Sequence, residues 1–238
     1  MLATAAAAQE DQTPRPPVKN NRGLLQVNRD YYDLAAATGG DFYFWAAGEF
    51  AASNLQIPIE HDEVLLSYGT LDTKRVFEIP VESGARSLEV FAGVQRKDLA
   101  VLIKPDGLVV RDSVQSFQHM LIATINAPSP GTWRLELHGA GLYCVTAHLR
   151  PAETGPELVK VALKKETCEI ELAGNASKLQ VELVAKDGST LARAALEKIE
   201  NEHYTARCPA PGVPFRVSIT GIDGNGFAFR RVERGLRQ

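Results

Sequence analysis

From about residue 61 onward the chain is built of short apolar runs separated by turn residues. Val64, Leu66 and Tyr68 recur at every second position, and the run at residues 99–103 ends at Pro105-Asp106-Gly107. Alternation places one face of a strand in a core, and Pro-Asp-Gly is typical of a turn. About eight short strands, spaced roughly ten residues apart with no helices between them, indicate a β-sandwich.

A hairpin is predicted between the alternating runs at residues 133–137 and 143–149. Gly139 and Gly141 lie between these runs and are expected to turn the chain. His138 and His148 would then lie on either side of the hairpin mouth. Two imidazoles without a carboxylate make a poor metal site, so we interpret them as exposed polar residues. Trp133 is expected in the core of the sandwich.

A second β block follows the linker at residues 151–156. Turns are expected at Gly174-Asn175, Asp187-Gly188 and Asp223–Gly226. Residues 191–199 leave two alternatives, since helix propensity favours a helix and sandwich topology favours a strand. The predicted fold class is mainly β: two tandem immunoglobulin-like β-sandwiches, at residues 61–152 and 153–238. A short α/β unit at residues 28–60 and an extended or disordered N-terminal arm at residues 1–27 precede them.

The unit at residues 28–60 begins with a predicted helix. Asn28 is suited to cap it, Tyr31, Leu34 and Ala35 share one face, and Gly39-Gly40 stop it. The aromatic run Phe42–Trp45 is typical of a strand. One or two further helical turns are expected at residues 46–54. This is the one clear α/β unit of the sequence.

The arm is polar and carries Pro14, Arg15, Pro16 and Pro17, which favour an extended backbone. Such a segment orders on a partner, so these four residues are predicted partner contacts, together with Tyr43 and Trp45. The small residues around Ala6-x-Ala8 resemble the end of a secretory signal, although a basic start and a leucine-rich stretch are missing. We therefore expect an extracytoplasmic protein, periplasmic or secreted.

Composition excludes several classes of protein. With 45% hydrophobic residues, 23% charged residues and a formal charge of −3, the chain is of a soluble globular type without attraction for nucleic acid. No apolar run reaches the roughly 18–20 residues that span a bilayer. Four arginines close the chain and are interpreted as a solvated end: Arg230, Arg231, Arg234 and Arg237.

The sequence shows no catalytic, cofactor or metal motif. It lacks Gly-x-Ser-x-Gly and His-Glu-x-x-His. The loop Asp223-Gly224-Asn225-Gly226 begins like a calcium loop, but its later acidic ligand is missing and an Asn-Gly turn explains it. Among three cysteines, Cys144 stands apart, whereas Cys168 and Cys208 share a predicted domain and could form a disulfide. The alternative is that all three are buried thiols.

A family resemblance follows from these segments. The pattern Tyr-x-x-Leu-Ala-x-x-Thr-Gly-Gly-x-Phe-Tyr at residues 31–43 resembles the last helix and edge strand of a von Willebrand factor A domain. The blocks at residues 77–81, 104–107 and 130–135 are similar to the sandwich that follows this domain in hemicentin-like extracellular proteins. The segments at residues 215–223 and 229–232 resemble the closing hairpin of the next module. The metal-binding Asp-x-Ser-x-Ser loop is absent, so metal-dependent adhesion does not follow from the resemblance.

The expected function is therefore contact and not catalysis. We expect an accessory subunit that docks on a larger, membrane-associated assembly, whether respiratory, photosynthetic or secretory. The alternatives are a carbohydrate-binding or adhesin-type module, and an unrecognised hydrolase that a perturbed histidine or carboxylate in a deep pocket would reveal.

Overall fold

The computed structural model describes residues 24–52, 62–153, 155–164, 167–200 and 203–235, and over these ranges the chain is mainly β. Two short helices precede the strands: α1 (Arg29–Thr38) and α2 (Glu49–Ala52). The first six strands are β1 (Asp62–Leu71), β2 (Lys74–Val81), β3 (Ser87–Ile103), β4 (Val114–Ser116), β5 (Met120–Asn126) and β6 (Gly131–Arg150). The remaining strands are β7 (Glu157–Lys164), β8 (Thr167–Ala173), β9 (Ala176–Val184), β10 (Thr190–Ala195), β11 (Glu197–Glu200), β12 (His203–Pro209), β13 (Arg216–Asp223) and β14 (Ala228–Val232).

The first six strands form one antiparallel sheet, called the large sheet. Its order is β1-β6-β3-β5-β4, and β2 pairs with the first half of β6 while β1 pairs with the second half. One hydrophobic cluster takes side chains from both halves, including Phe77, Leu88, Trp133 and Val145. The two halves therefore enclose a common core.

The hairpin predicted at Gly139–Gly141 is wrong, because β6 runs through both glycines without turning. A Cβ at Gly139 would lie 2.0 Å from the carbonyl oxygen of Arg96. The pairing register of β3 shifts at this point, between Val94 and Arg96 and again between Lys97 and Leu99. Glycine is thus required by the close approach of a β-bulge on the neighbouring strand, and not by a turn.

Eight strands form two further antiparallel sheets, called the C-terminal sheets. Their orders are β10-β9-β13-β14 and β11-β12-β8-β7. A second cluster takes Leu172 and Ala206 from one sheet and Leu183 and Val217 from the other. The sequence left residues 191–199 open between helix and strand, and the structure places residues 191–195 in β10 and residues 197–199 in β11.

Residues 24–52, called the strap, cover the outer face of the large sheet. Helix α1 begins and ends as predicted: the Asn28 carboxamide accepts hydrogen bonds from two backbone N–H groups, and Gly39 ends the helix with φ 75°. The face carrying Tyr31 and Leu34 points outward, with 68% and 59% of these residues exposed. Tyr32 and Ala36 face the sheet instead.

The strand predicted at Phe42–Trp45 is wrong, since these residues have no regular secondary structure. Their side chains pack over a face of the large sheet, and their backbone belongs to none of the described strands. Phe44 is buried against that face, and a Cβ at Gly93 of β3 would lie 2.4 Å from its ring. The predicted helical turn after the aromatic run is present as α2. The predicted turn at residues 105–107 is confirmed, with Gly107 N donating to Lys104 O at 2.9 Å.

Candidate functional site

Hydrogen bonds fix the strap to the large sheet. The Tyr32 hydroxyl donates to the carbonyl oxygens of Tyr143 and Gly69, at 2.7 and 3.1 Å. Near the start of the strap, Leu25 N donates to Gln95 O at 3.0 Å, and the Gln95 carboxamide donates to Leu25 O at 2.8 Å. Residue 25 was assigned to the N-terminal arm by the sequence, yet it belongs to this layer.

Arg216 of β13 joins α1 to the C-terminal sheets. This arginine is fully buried, and its guanidinium donates to the carbonyl oxygen of Ala36 and, at 2.7 Å, to that of Arg234. It also lies over the Tyr68 ring, 5.4 Å from the ring centroid. A cation near the carbonyl end of a helix interacts favourably with the helix dipole and with aromatic rings. The strap is therefore bound from two sides.

A buried histidine cluster holds the middle of the strap. His148, only 1% exposed, has Nε2 3.4 Å from Asp41 Oδ1 and Nδ1 3.0 Å from Glu63 Oε1. The Thr146 hydroxyl donates to Asp41 Oδ1 at 2.8 Å, and Arg234 Nε lies 2.7 Å from Glu63 Oε1. These five residues link the strap, β1, β6 and the segment after β14.

This cluster corrects the prediction of an exposed histidine pair. His138 and His148 lie on one strand, separated by roughly 30 Å of extended chain. In the sheet register, His148 is flanked by Glu63 of β1 on one side and by Glu89 of β3 on the other. The sequence shows that Glu63 and Glu89 lie on predicted strands. It does not show that these strands pair on either side of β6, which is what places both carboxyl groups beside His148.

The histidine is charged at neutral pH. Burial works against the charged imidazole, but the Asp41 and Glu63 carboxylates outweigh it and raise the pKa of His148 to about 9. Burial raises the pKa of Glu89, the third carboxyl group beside it. A protonated imidazole has no lone pair for a metal ion. Within the described residues, no group of three or more His, Cys, Asp or Glu side chains is arranged to hold a metal.

Four rings form a surface cluster at the end of the strap, called the aromatic patch: Tyr43, Trp45, Phe50 and Phe117. Trp45 stacks on Tyr43 with ring centroids 6.2 Å apart and meets Phe50 and Phe117 edge-on, at 5.9 and 5.2 Å. Phe50 is 64% exposed, and the other three are partly buried. The patch is thus a packed set of rings that reaches the surface.

Glu49 fixes the backbone beneath the patch. Its carboxylate accepts hydrogen bonds from Ala46 N at 2.9 Å and from Gln118 N at 2.7 Å, which joins the strap to the turn between β4 and β5. Lys97 lies near Glu49 and donates to Met120 O at 2.7 Å, and burial lowers its pKa to about 8. Hydrogen bonds therefore fix the backbone that carries the rings.

The structure brings two of the predicted contact residues together, Tyr43 and Trp45. The other four, Pro14, Arg15, Pro16 and Pro17, lie outside the described residues. Sequence reasoning missed Phe50 and Phe117. Phe50 follows Trp45 in the predicted helical turn, which was a usable signal, whereas only tertiary packing brings Phe117 from the far edge of the large sheet.

The large sheet and the C-terminal sheets meet at a polar junction. Arg231 of β14 is 1% exposed, with Nε 2.7 Å from Asp62 Oδ2 and a terminal nitrogen 2.7 Å from Glu82 Oε2. Glu82 is likewise 1% exposed. The prediction of a solvated arginine end is therefore wrong for Arg231, because β14 contacts β1 and β2.

Asp223 supplies a second connection across the junction and needs no cation. Its Oδ2 accepts hydrogen bonds from Ser83 N and Ser83 Oγ, both at 2.8 Å. Its Oδ1 accepts from Asn225 N at 2.9 Å and Phe227 N at 2.8 Å. Four donors satisfy the carboxylate and hold its pKa below the usual range despite burial. This agrees with the interpretation of the loop as a turn.

Cys144 and Trp133 are both buried in the described part of the chain. Burial raises the pKa of the Cys144 thiol to about 12, so it stays protonated at neutral pH. Cys168 of β8 is the register partner of Cys208 of β12, but the Cys168 side chain lies outside the described part of the chain, so the disulfide stays a prediction. Trp133 is 1% exposed and donates to Ser129 O at 2.9 Å, which confirms its place in the core.

Neither helix in the described ranges has the length and apolar character needed to cross a bilayer.

Comparisons with known proteins give only distant likenesses. No protein-family model matches the chain, and no curated protein matches it. The chain is similar to the propeptide form of the lipase BlEst2 from Bacillus licheniformis, with 13% identity and a TM-score of 0.48, covering 76% of this chain and 42% of the lipase. It is also similar to a β-glucuronidase from Bifidobacterium dentium, with 10% identity and a TM-score of 0.26, covering 68% of this chain and 39% of that enzyme. A β-glucuronidase from Ruminococcus gnavus has 11% identity and a TM-score of 0.23, and the match covers 68% of this chain and 35% of that enzyme. The chain thus spans less than half of each of these enzymes, and the likenesses carry no argument about activity.

Proposed function

We propose that this protein is a non-catalytic accessory subunit that docks on a larger, membrane-associated protein assembly outside the cytoplasm. The aromatic patch is the observation that supports this proposal. Hot spots of protein interfaces are enriched in aromatic residues such as tryptophan and tyrosine that lie in well-packed surroundings. Trp45, packed between Tyr43, Phe50 and Phe117, has this arrangement.

The energetics of the patch fit a docking role. Phe50 leaves 64% of its surface in water, and burying a phenylalanine side chain contributes about 1.5–3 kcal/mol. The Glu49 hydrogen bonds already order the loop that carries these rings. A partner would therefore lose little free energy in ordering this surface.

The fold supports a structural role in the same way. We interpret the three sheets as two tandem immunoglobulin-like sandwiches, with the strap as the remnant of a von Willebrand factor A-like domain. Arg231 and Asp223 join the two parts through buried contacts. A joined pair would present the patch to a partner in a fixed orientation.

The partner we propose is a protein subunit of a respiratory, photosynthetic or secretory complex. In this proposal the arm, through Pro14, Arg15, Pro16 and Pro17, adds a second contact that orders on binding. Removing residues 1–23 is then expected to weaken the complex while leaving the thermal unfolding of the isolated protein unchanged. The cut stops before Leu25, because that residue bonds to Gln95.

The patch is tested by photo-crosslinking in native membranes. A benzophenone amino acid at position 50 is expected to form a crosslink with one dominant membrane-complex subunit, identified by mass spectrometry. Phe50→Ala should then reduce co-purification of that subunit at least tenfold. Leu108→Ala is the matched control, since Leu108 is 62% exposed and lies on a turn outside the patch. Equal co-purification by the wild type and Phe50→Ala would refute the proposal.

A further inference from the structure

We propose that a cavity at the junction binds a neutral saccharide. The cavity has a volume of about 400 Å³ and lies between the turn after β2, the described residues Ala152, Gly155 and Pro156 that follow β6, and the turns after β8 and β13. Small-molecule sites have volumes of roughly 300–1,000 Å³ and are frequent where two parts of a chain meet. This site is separate from the aromatic patch and independent of the docking proposal.

The charges in the cavity wall are already compensated. Glu82 is bound by the Arg231 guanidinium at 2.7–2.8 Å, and Asp223 accepts four hydrogen bonds from Ser83, Asn225 and Phe227. A cation would have to compete with these partners for either carboxylate. The cavity therefore favours a ligand without charge.

Amide and hydroxyl groups provide the remaining hydrogen-bonding capacity. Asn175 lines the cavity from an exposed turn, and Asn225 lines it beside Ser83, to which its amide donates at 2.7 Å. An asparagine side chain donates through its nitrogen and accepts through its oxygen. Sugar hydroxyls also donate and accept, so vicinal hydroxyls match such paired groups. Ala152 and Pro156 add a small apolar wall for the C–H face of a sugar ring.

Two glycines bring the backbone close to polar groups of the cavity wall. A Cβ at Gly155 would lie 2.7 Å from Glu82 Oε1, and a Cβ at Gly224 would lie 2.9 Å from the Asn175 amide nitrogen. Either side chain would displace a polar group of the wall. Glycine at both positions therefore lets the backbone lie against these polar groups without moving them.

The experiment measures binding of four neutral disaccharides, maltose, cellobiose, lactose and sucrose, to the full chain by titration calorimetry and saturation-transfer NMR. At least one is expected to bind with a roughly millimolar Kd, because none of the described lining residues carries an aromatic ring that would add stacking energy. Asn175→Ala should weaken this binding at least tenfold, and Ala152→Phe should abolish it by filling the cavity. Asn126→Ala, at an exposed position outside the cavity, should bind like the wild type.

Thermal unfolding of each variant is measured as well, and a loss of binding is interpreted only for variants that are folded. Asn175 is exposed, so its variant keeps the test valid if Ala152→Phe fails to fold. The proposal is overturned if none of the four sugars shows saturable binding, or if sugar binding is unchanged in Asn175→Ala. Binding of calcium chloride with no sugar binding would also overturn it and indicate a cation site.

Discussion

Two buried charge clusters in the described part of the chain have a similar arrangement but differ in the cation at their centre. At the junction, Arg231 lies between Asp62 and Glu82, and under the strap, His148 lies between Asp41 and Glu63. In each case one strand residue supplies the cation and two other segments supply carboxylates. Each cation therefore joins parts of the chain that are distant in sequence.

The difference lies in what happens to the cation as pH changes. A guanidinium stays charged at every pH at which the protein is folded, whereas an imidazole can lose its charge. The contribution of Arg231 to the free energy of unfolding should therefore stay constant in the alkaline range, whereas the contribution of His148 should decrease. The clusters also differ in the number of cations, because Glu63 in the histidine cluster is paired with Arg234 as well as with His148.

Removing the junction cation should have the largest effect. Arg231→Met is expected to lower the free energy of unfolding by about 3–5 kcal/mol, because it leaves the buried Glu82 carboxylate without its partner. Urea unfolding at neutral pH measures this loss. The matched control is Arg193→Met, which breaks an exposed ion pair with Glu182 and should cost less than about 1 kcal/mol. Equal losses in the two variants would show that the junction contributes no more than a surface pair.

The histidine cluster should lose its contribution at alkaline pH. The folded-state pKa of His148 lies above its unfolded value, so its stabilisation is complete below pH 6.5 and is lost as pH rises to about 9. A shift of this size corresponds to a contribution on the order of 3 kcal/mol. The difference in unfolding free energy between the wild type and His148→Gln should therefore shrink from neutral to alkaline pH.

The control for this pH dependence is His138→Gln. His138 lies on the same strand but is partly exposed, and its Nε2 is 3.8 Å from Glu136 Oε2. Its variant removes a histidine from a partly exposed position and should cost less stability at neutral pH than His148→Gln. A difference between wild type and His148→Gln that stays constant from neutral to alkaline pH would mean that His148 acts through packing and not through charge.

Much of the fold could be predicted because it depends on local chemistry. The Asn28 cap, the Gly39 stop and the turn at residues 105–107 each rest on a few neighbouring residues. Phe42–Trp45 and Gly139–Gly141 were misassigned because the same residues serve a second purpose. Aromatic residues suit a strand and also a layer that covers a sheet, and glycine permits a turn and also the close approach of a bulge.

The sites were harder to predict because they depend on contacts between segments that are distant in the sequence. Two of the four rings in the aromatic patch were found from the sequence, since Tyr43 and Trp45 are close together in the chain. Arg231 was interpreted as solvated because nothing in the residues next to it in the sequence shows that β14 packs beside β1. His148 meets Glu63 and Glu89 only through the register of three strands, which alternation alone does not fix.

The smallest effect is expected on removing Arg234, the second cation beside Glu63. The Arg234 side chain is 50% exposed, so Arg234→Ala should cost at most about 1 kcal/mol at neutral pH, where charged His148 still compensates Glu63. At about pH 10 the imidazole is neutral, and the buried Glu63 carboxylate then loses both cations in this variant. The cost of Arg234→Ala should therefore grow with pH, in the opposite sense to that of His148→Gln. Urea unfolding at both pH values measures it, and an equal cost at both would show that the two cations do not share Glu63.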